Sequence, residues 1–321
     1  MKLKHLLQLS AAFLIPVVSH ATDFPTRPIK LVVPFAVGGP NDVVARLIQE
    51  PLTRALGQPV IVENRIGAAG TIGMTYVKEA KPDGYTLLVG GSTPVIAALM
   101  QKKPPYDVAR DFIQVSLFGS SPMILLSHPS MPVKTLGELV TYAKAKPGAV
   151  NFGMTGRGSI SHLGTELFSQ KAGIRMTDIP YSGGSPAVEA LLKGEIQLYM
   201  TSPTDAISQY VSSGRLLALA VASSKPIAAF PKTPTIDATV SGVNVEIWYG
   251  LLAPAGTPPD TVSKIEKAVA SITSTQQWKD RVRVSLGIET AGFTQKQFED
   301  FYKAEIDTWR AVARKGGLIE E

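Results

Sequence analysis

The sequence predicts an α/β fold with mostly parallel sheets, in two domains between which the chain crosses more than once. Short apolar strand patterns alternate with amphipathic helix patterns almost throughout the chain. Its 321 residues suit two domains of ordinary size. The sequence contains no low-complexity linker, which favours discontinuous domains with crossings near residues 116–121 and 220–225.

The strand patterns are apolar runs bounded by glycine, proline or small polar residues. They predict strands over residues 29–35, 60–63, 85–90, 123–127, 150–154, 176–180, 195–200, 216–223 and 248–253. Apolar residues at helical spacing predict helices over residues 42–56, 70–81, 135–146, 159–172, 205–213, 259–274 and 294–315, and one more that ends at Lys193. The helices over residues 259–274 and 294–315 have long polar faces, so we expect them to cover a sheet rather than extend one.

The first 21 residues have the pattern of an export signal. A basic start precedes the mostly apolar residues 6–18, and small residues flank His20 at a cleavage point. A membrane anchor is the alternative, but the apolar run is shorter than the about 20 residues that span a bilayer. We therefore expect export, cleavage after about Ala21, and a mature chain that begins near Thr22.

Composition narrows the possible classes of function. The chain is 45% hydrophobic and 18% charged, which is typical of globular proteins. It has no cysteine, so disulfides, a lipid-modified N-terminus and thiolate metal sites are excluded. The formal net charge of +6 is spread along the chain without basic blocks, so nucleic acid is not an expected partner.

Several predicted strands end in a loop of small residues that leads into a helix. These loops cover residues 34–42, 90–94, 153–161 and 181–187. In open α/β sheets such loops gather at the carboxyl edge of the strands, where ligands bind. Free backbone N–H groups and the helix dipole at a helix start favour an anion, and glycines such as Gly38 and Gly39 allow close approach to the backbone. The pattern therefore indicates a site for a small carboxylate.

Motifs of enzymes and of nucleotide-binding proteins are absent from the sequence. No loop has the ending of a Walker A motif, the spacing of a dinucleotide fingerprint or a Gly-x-Ser-x-Gly elbow. The chain has four histidines and no His-Glu-x-x-His motif. We expect no cofactor, no metal and no catalytic residue. The alternative is an exported enzyme that acts on a carboxylate in the same cleft.

Individual side chains in these loops have a structural and a functional interpretation. Ser159 is a natural N-cap that still leaves N–H groups for a guest. His162 is expected to brace the loop, although a neutral imidazole can donate an N–H to a ligand. Arg157 is either an exposed loop residue or a clamp for a distal carboxylate. Phe35 and Tyr181 are either partly buried packing or walls against an apolar part of the ligand.

Short runs throughout the mature chain together form a specific pattern. They include residues 27–35 (RPIKLVVPF), 38–39, 42, 62–65 (VENR), 67–70, 82–88 (PDGYTLL), 158–159, 161–163, 180–181, 183–184 and 248–258 (WYGLLAPAGTP). This pattern resembles the signatures of the tripartite tricarboxylate transporter receptors, also called Bug proteins. Each run alone has little specificity, whereas the set is jointly specific.

The resemblance implies a two-lobed type II periplasmic binding protein fold, in which each lobe is a mostly parallel sheet flanked by helices. Two hinge crossings would join lobe 1, residues 22–119 plus 225–321, to lobe 2, residues 120–224. The implied function is that of a periplasmic solute-binding receptor. Its ligand would be a di- or tricarboxylate, an acidic amino acid or an aromatic acid.

The resemblance also implies partners. The receptor would act as a monomer and deliver its ligand to the integral membrane subunits of a tripartite tricarboxylate-type transporter. A sensor co-receptor that signals to a membrane kinase is an alternative, because both roles would use the same surface of the closed lobes.

The resemblance finally implies that loops of both lobes hold the carboxylate through backbone N–H groups and hydroxyls. Thr201 stands where the family commonly carries Asp, and Arg157 stands where it often has Asn, and both differences favour a more anionic ligand. The residues expected to contact the ligand are Phe35, Ala36, Val37, Gly38, Gly39, Asn41, Asp42, Ser92, Thr155, Arg157, Ser159, His162, Tyr181, Gly183, Gly184 and Thr201.

Overall fold

The computed structural model describes residues 24–288 and 293–319, so the predicted export signal and its cleavage point lie outside the described residues. The described strands are β1 (Ile29–Val33), β2 (Val60–Asn64), β3 (Thr86–Gly91), β4 (Phe112–Pro122), β5 (Ile124–Ser127), β6 (Asn151–Met154), β7 (Thr177–Pro180), β8 (Leu198–Thr201), β9 (Leu217–Val221) and β10 (Glu246–Pro254). The described helices are α1 (Pro40–Leu56), α2 (Thr71–Lys78), α3 (Ser92–Leu99), α4 (Leu136–Ala145), α5 (Ile160–Ala172), α6 (Gly184–Leu192), α7 (Asp205–Ser212), α8 (Pro259–Thr273), α9 (Gln276–Leu286) and α10 (Gln295–Lys315). None of these helices combines the length and apolar character that a bilayer span requires.

The strands form two five-stranded sheets, each with one strand that runs against the other four. In the first sheet, with the order β2-β1-β3-β10-β4, strand β10 is antiparallel to both β3 and β4. In the second sheet, with the order β7-β6-β8-β5-β9, strand β5 is antiparallel to both β8 and β9. The remaining pairs are parallel. The prediction of mostly parallel sheets flanked by helices is confirmed.

Helices cover both faces of the first sheet. Alternate side chains of a strand point to opposite faces, so each face packs against different helices. On β1, Ile29, Leu31 and Val33 pack with residues of α1 and α8, whereas Val32 packs with residues of α2 and α3. All four side chains are fully buried. Burial of a side chain of this size contributes about 1.5–3 kcal/mol relative to exposure. The strand that leads into the first glycine loop is therefore held firmly from both sides.

Two crossings connect the sheets, which confirms the two-lobed architecture. Strand β4 of the first sheet leads directly into β5 of the second, and the chain returns after β9 to form β10 in the first. Three segments of the backbone form a closed ring of hydrogen bonds at these crossings. Met123 N–H donates to Val245 O (2.9 Å), Val245 N–H donates to Ala222 O (2.8 Å), and Ala222 N–H donates to Met123 O (2.7 Å).

The crossings join the carboxyl edges of the two sheets. Strands β3 and β4 are both antiparallel to β10, so β4 ends at the same edge as β1 and β3. Strand β5 begins where β8 ends, because Ile124 pairs with Thr201. Strand β10 likewise begins where β4 ends, because Glu246 pairs with Pro122. The loops that follow β1, β3, β6, β7 and β8 therefore open toward one cleft between the lobes.

The residue borders of the lobes remain a prediction, and the packing supports one change to them. Ile227 and Phe230 pack in the same apolar cluster as residues of β5. Ile236 N–H donates a hydrogen bond to Val221 O at 2.8 Å. We therefore expect residues 225–245 to belong to lobe 2, although the sequence-based border assigns them to lobe 1.

Helix α10 packs against both lobes along one face. Phe298, Tyr302 and Ile306 lie in a cluster with residues of the first sheet, whereas Trp309 and Ala313 lie in a cluster with residues of the second. These positions are three or four residues apart, which places them on one side of a helix. The helix thus covers β4, as its polar outer face predicts, and also connects the lobes beside the crossings.

Three elements of the structure are not predicted from the sequence, namely α3, β4 and α9. The run of residues 90–94 (GGSTP) is typical of a turn, but Pro94 occupies the first turn of α3, where its missing N–H costs nothing. Gly119 interrupts the apolar pattern of β4. Helix α9 buries only Trp278 and Val282, and most of its other residues are polar, so its periodic signal is weak.

Replacing Phe298 with alanine is expected to lower the free energy of unfolding by about 3–5 kcal/mol. The ring is fully buried and packs edge to face on Trp248, with ring centroids 5.5 Å apart. Val284→Ala is the control, because Val284 is 63% exposed. Urea unfolding measures both variants. A loss at Phe298 no larger than that of the control would contradict the packing of α10.

Candidate functional site

Every residue expected to contact a ligand lies at one of the two facing carboxyl edges. Residues 35–42 follow β1, and Ser92 begins α3 directly after β3. In the second lobe, residues 155–162 follow β6, residues 181–184 follow β7, and Thr201 is the last residue of β8. The fold thus gathers these positions around the cleft, while their contact with a ligand stays a prediction.

Asp42 uses its carboxylate to hold the first loop, which we define as residues 34–39. The residue is 1% exposed. Its Oδ2 accepts hydrogen bonds from Gly38 N–H (2.9 Å) and Arg46 Nε–H (2.7 Å), and its Oδ1 accepts one from Asn64 Nδ2 (2.9 Å). Burial disfavours the charged form, but these bonds outweigh burial and lower the pKa of the carboxyl. We expect its side chain to shape the site rather than to bind the ligand.

Asn64 links the Asp42 carboxylate to the backbone of the first loop. It is not among the residues expected from the sequence to contact the ligand. Its Nδ2 donates to Asp42 Oδ1 and also to Phe35 O at 2.9 Å. An amide NH₂ has two hydrogens, so both are used. Asn64 belongs to the run 62–65 that carries part of the family resemblance, but a sequence run does not show which distant group a side chain meets.

Hydrogen bonds inside the first loop decide which backbone N–H groups remain for an anion. Gly38 N–H donates to Asp42, and Gly39 N–H donates to Ala36 O at 3.1 Å. Gly38 has φ +80°, a conformation that other residues rarely adopt. The glycines therefore shape the loop with their own N–H groups occupied. The backbone N–H groups of this region without a partner in the described residues are those of Phe35, Ala36, Val37, Asn41 and Asp42.

Two side chains give the first loop an apolar surface. Phe35 is half-buried and packs over Gly70, where a Cβ would lie 3.2 Å from the ring atom Cζ. Val37 is 68% exposed. Phe35 thus packs on the neighbouring loop and keeps an accessible side, which fits both of its predicted roles.

Asn41 and Ser92 tie the helix starts of the first lobe to its sheet. Asn41 Nδ2 donates to Val89 O (3.3 Å) and Gly90 O (3.2 Å) at the end of β3. Ser92 Oγ donates to Glu246 O (3.3 Å) and accepts the Trp248 N–H (3.1 Å) of β10. Both side chains are buried and bonded within the lobe. Their bonds set the positions of α1 and α3 relative to the cleft.

His162 braces the second loop, which we define as residues 155–159. Its Nδ1 accepts the Gly158 N–H at 3.1 Å, and its ring stacks on Phe152 with centroids 6.5 Å apart. Ser159 caps α5, because its Oγ accepts the His162 N–H at 3.2 Å. Burial lowers the pKa of His162, so the imidazole is neutral near pH 7. Since Nδ1 is an acceptor, the hydrogen of the neutral ring is assigned to Nε2.

Ser161 is a second residue that the sequence-based set omits. Its Oγ accepts the Thr155 N–H at 3.1 Å and also contacts the hydroxyls of Thr155 and Ser159. The residue is 2% exposed. It belongs to the run 161–163 of the family pattern, yet nothing in that run indicates bonds that reach back to Thr155.

The other expected residues of the second lobe are more open. Arg157 is exposed, and its side chain has no hydrogen bond or ion pair with the described residues. Tyr181 is half-buried and packs on the cluster that contains Ala187, and burial raises the pKa of its phenol. Gly183 and Gly184 form the start of α6.

In the described part of the chain, no group of three or more His, Asp or Glu side chains is placed to hold a metal ion.

Replacing Asp42 with asparagine is expected to lower the free energy of unfolding at pH 7 by about 2 kcal/mol, because its three donors lose a charged acceptor. The pKa of Asp42 is lower in the folded chain than in the unfolded chain, where it is about 3.9. Its contribution is therefore present above about pH 4 and is lost as the pH falls through the folded pKa.

Chemical denaturation at pH 7 and at pH 3 measures this effect in the wild type and in Asp42→Asn. The loss of stability on acidification should be smaller in the variant. Asp260→Asn is the control, since Asp260 lies in the first turn of α8 and is exposed. Equal acid-induced losses in the wild type and in Asp42→Asn would contradict the role given to this carboxylate.

Comparisons with known proteins agree with this fold. The chain matches the model of the tripartite tricarboxylate transporter family receptor over residues 44–318. It is 34% identical to protein BugT of Bordetella pertussis over 300 residues, which are 92% of this chain and 91% of BugT. It is 33% identical to the solved structure of R. palustris Rpa4515 with adipate, with a TM-score of 0.77 and coverage of 92% of this chain and 99% of that one.

Two further solved structures are similar to the chain. MatC from Rhodopseudomonas palustris with bound malate is 33% identical, with a TM-score of 0.74 and coverage of 90% of this chain and 99% of MatC. The periplasmic binding protein BugD is 32% identical, with a TM-score of 0.76 and coverage of 93% of this chain and 100% of BugD. The chain therefore belongs to the tripartite tricarboxylate transporter receptor (Bug) family of periplasmic solute-binding proteins, and it is a receptor and not an enzyme.

Proposed function

We propose that this chain captures a small organic carboxylate in the cleft and, as a monomer, delivers it to the membrane subunits of a tripartite tricarboxylate-type transporter. The observation that carries the proposal is the meeting of two carboxyl edges, with unpaired N–H groups on one side and hydroxyls on the other. The adipate and malate held by two relatives support a carboxylate ligand. Residues 1–21 would act as the export signal, with cleavage after about Ala21.

Neutral donors suit an ionised ligand, because hydrogen bonds to a carboxylate are short and strong. The first loop offers backbone N–H groups beside the Asp42 carboxylate. The charged guanidinium of Arg46 donates a hydrogen bond to that carboxylate, so Asp42 repels an incoming anion little. The second loop offers the hydroxyls of Thr155 and Ser159, and the neutral imidazole of His162 braces it. The exposed Arg157 adds a full positive charge on the second loop, which favours a ligand with a second carboxylate. A di- or tricarboxylate therefore fits this site better than a monocarboxylate.

Delivery would depend on closure of the lobes around the ligand. A ligand shifts the balance between open and closed forms only when it binds the closed form better, and a ligand that touches loops of both lobes meets this condition. The crossings and α10 keep the lobes joined during such a motion. The closed form would then present one combined surface of both lobes to the membrane subunits.

Binding of adipate and malate to the mature chain, residues 22–321, tests the proposal. Titration calorimetry should detect saturable binding of at least one of them, and the same acid should raise the melting temperature, because a ligand that binds only the folded state stabilises it. Adipamide is the control, since it has the length of adipate but no charge. Failure of both acids and of citrate to bind would contradict the proposed function.

Replacing Arg157 with alanine should weaken binding of the dicarboxylate by about tenfold, which corresponds to about 1.4 kcal/mol. Binding of a monocarboxylate of the same chain length, such as hexanoate for adipate, should change little. Arg175→Ala is the matched control, because Arg175 is exposed and lies before β7, at the opposite edge of the second sheet. Unchanged dicarboxylate affinity in Arg157→Ala would refute a clamp at this position.

A further inference from the structure

A chain of three hydroxyl groups runs through the start of α5, and its middle member is buried. Ser161 Oγ lies 3.2 Å from Thr155 Oγ1 and 3.0 Å from Ser159 Oγ. Ser161 is 2% exposed and Ser159 is 8% exposed, whereas Thr155 is half-buried. Ser161 is thus the least exposed of the three, and its hydroxyl is occupied by the outer two, so we take Thr155 and Ser159 as the members that reach a ligand.

The number of hydroxyl hydrogens limits what this chain can donate. Each hydroxyl has one hydrogen and two lone pairs. Each O···O contact needs one hydrogen, because lone pairs that face each other at this distance repel. Three hydroxyls with two contacts between them therefore have one hydrogen left for a partner outside the chain.

Two arrangements satisfy every group. When Ser161 donates to Ser159, Thr155 donates to Ser161, and the hydrogen of Ser159 is free. When Ser161 donates to Thr155, Ser159 donates to Ser161, and the hydrogen of Thr155 is free. In both arrangements Ser161 Oγ also accepts the Thr155 N–H, and Ser159 Oγ also accepts the His162 N–H. No oxygen then accepts more than two hydrogen bonds.

We propose that Ser161 is a positioning residue that directs a single hydroxyl hydrogen, from either Thr155 or Ser159, to the ligand carboxylate. The inference rests on the proposed function, because it needs an anion at the second loop. Concerted rotation of the three hydroxyls exchanges the two arrangements. The free hydrogen therefore follows the position of the carboxylate oxygen, so that the loop can serve acids that sit nearer to Thr155 or nearer to Ser159.

This exchange makes the two outer hydroxyls substitutes for each other. When one is removed, the other takes over the donation to the ligand. When both are removed, the ligand loses its hydroxyl donor. The Thr155 and Ser159 hydroxyls are linked only through Ser161 Oγ. Without Ser161 this link is lost, and each outer hydroxyl then contributes to binding independently.

Titration calorimetry of Thr155→Val, Ser159→Ala and the double variant tests the proposal, with malate and adipate as probes. Each single variant should lose about threefold or less in affinity, whereas the double variant should lose about thirtyfold, more than the product of the two. In the Ser161→Ala background the same pair should be additive within about twofold. Thermal unfolding checks that each variant is folded.

A ligand-free measurement accompanies the titrations. Hydrogen exchange of the Thr155 amide, followed by NMR, should accelerate about tenfold or more in Ser161→Ala, because the amide loses its acceptor. Ser169→Ala is the matched control on the same helix, since Ser169 is buried and bonds to Thr165 O at 2.9 Å. It should leave the Thr155 amide and the affinity unchanged.

The outcomes separate this inference from the proposed function. Binding by the wild type with additive losses in Thr155→Val and Ser159→Ala overturns the inference alone. Coupling that persists in the Ser161→Ala background also overturns it. If citrate alone binds, the same variants are titrated with citrate. Absence of binding of malate, adipate and citrate to the wild type overturns the proposed function, and the inference with it.

Discussion

The ring of backbone hydrogen bonds among Met123, Ala222 and Val245 is the constraint on which the site depends. It forms where the chain passes between the sheets, and it uses main-chain groups that every non-proline residue provides. Because the passage is at the carboxyl edges, loops after the parallel strands of both sheets must open toward each other. The cleft is thus a consequence of strand direction, and the loop residues act on a geometry that the crossings already impose.

Within that geometry, most polar side chains of the site hold the scaffold rather than face the cleft. Asp42 and Asn64 bond within the first lobe, as do Asn41 and Ser92, and His162 bonds within the second. Within the described residues of the two loops, the groups that remain are main-chain N–H groups, the hydroxyls of Thr155 and Ser159, and the Arg157 side chain. A site of this kind grips a carboxylate in general and leaves few side chains to choose among acids. This fits a family in which one relative holds adipate and another holds malate.

The sequence predicts the parallel strands, the long helices and the loops at the strand ends, because apolar period and glycine position are local signals. It does not predict α3, since GGSTP is typical of a turn and only the fold shows that Pro94 can sit in a first helical turn. It also does not reveal Asn64 or Ser161 as site residues. Their roles depend on bonds to Asp42, Phe35 and Thr155, which are contacts between separate segments. The lobe to which residues 225–245 belong stays a prediction, because it depends on packing against the second sheet and not on a local signal.

A crystal structure of the protein with malate or adipate tests the central claim most directly. The account predicts a carboxylate oxygen within about 2.7–3.2 Å of a backbone N–H of residues 36–42, and the ligand also within that distance of the Thr155 or Ser159 hydroxyl. A ligand bound away from both loops, such as in the surface cavity lined by Leu47 and Trp278 on the first lobe, would contradict the account.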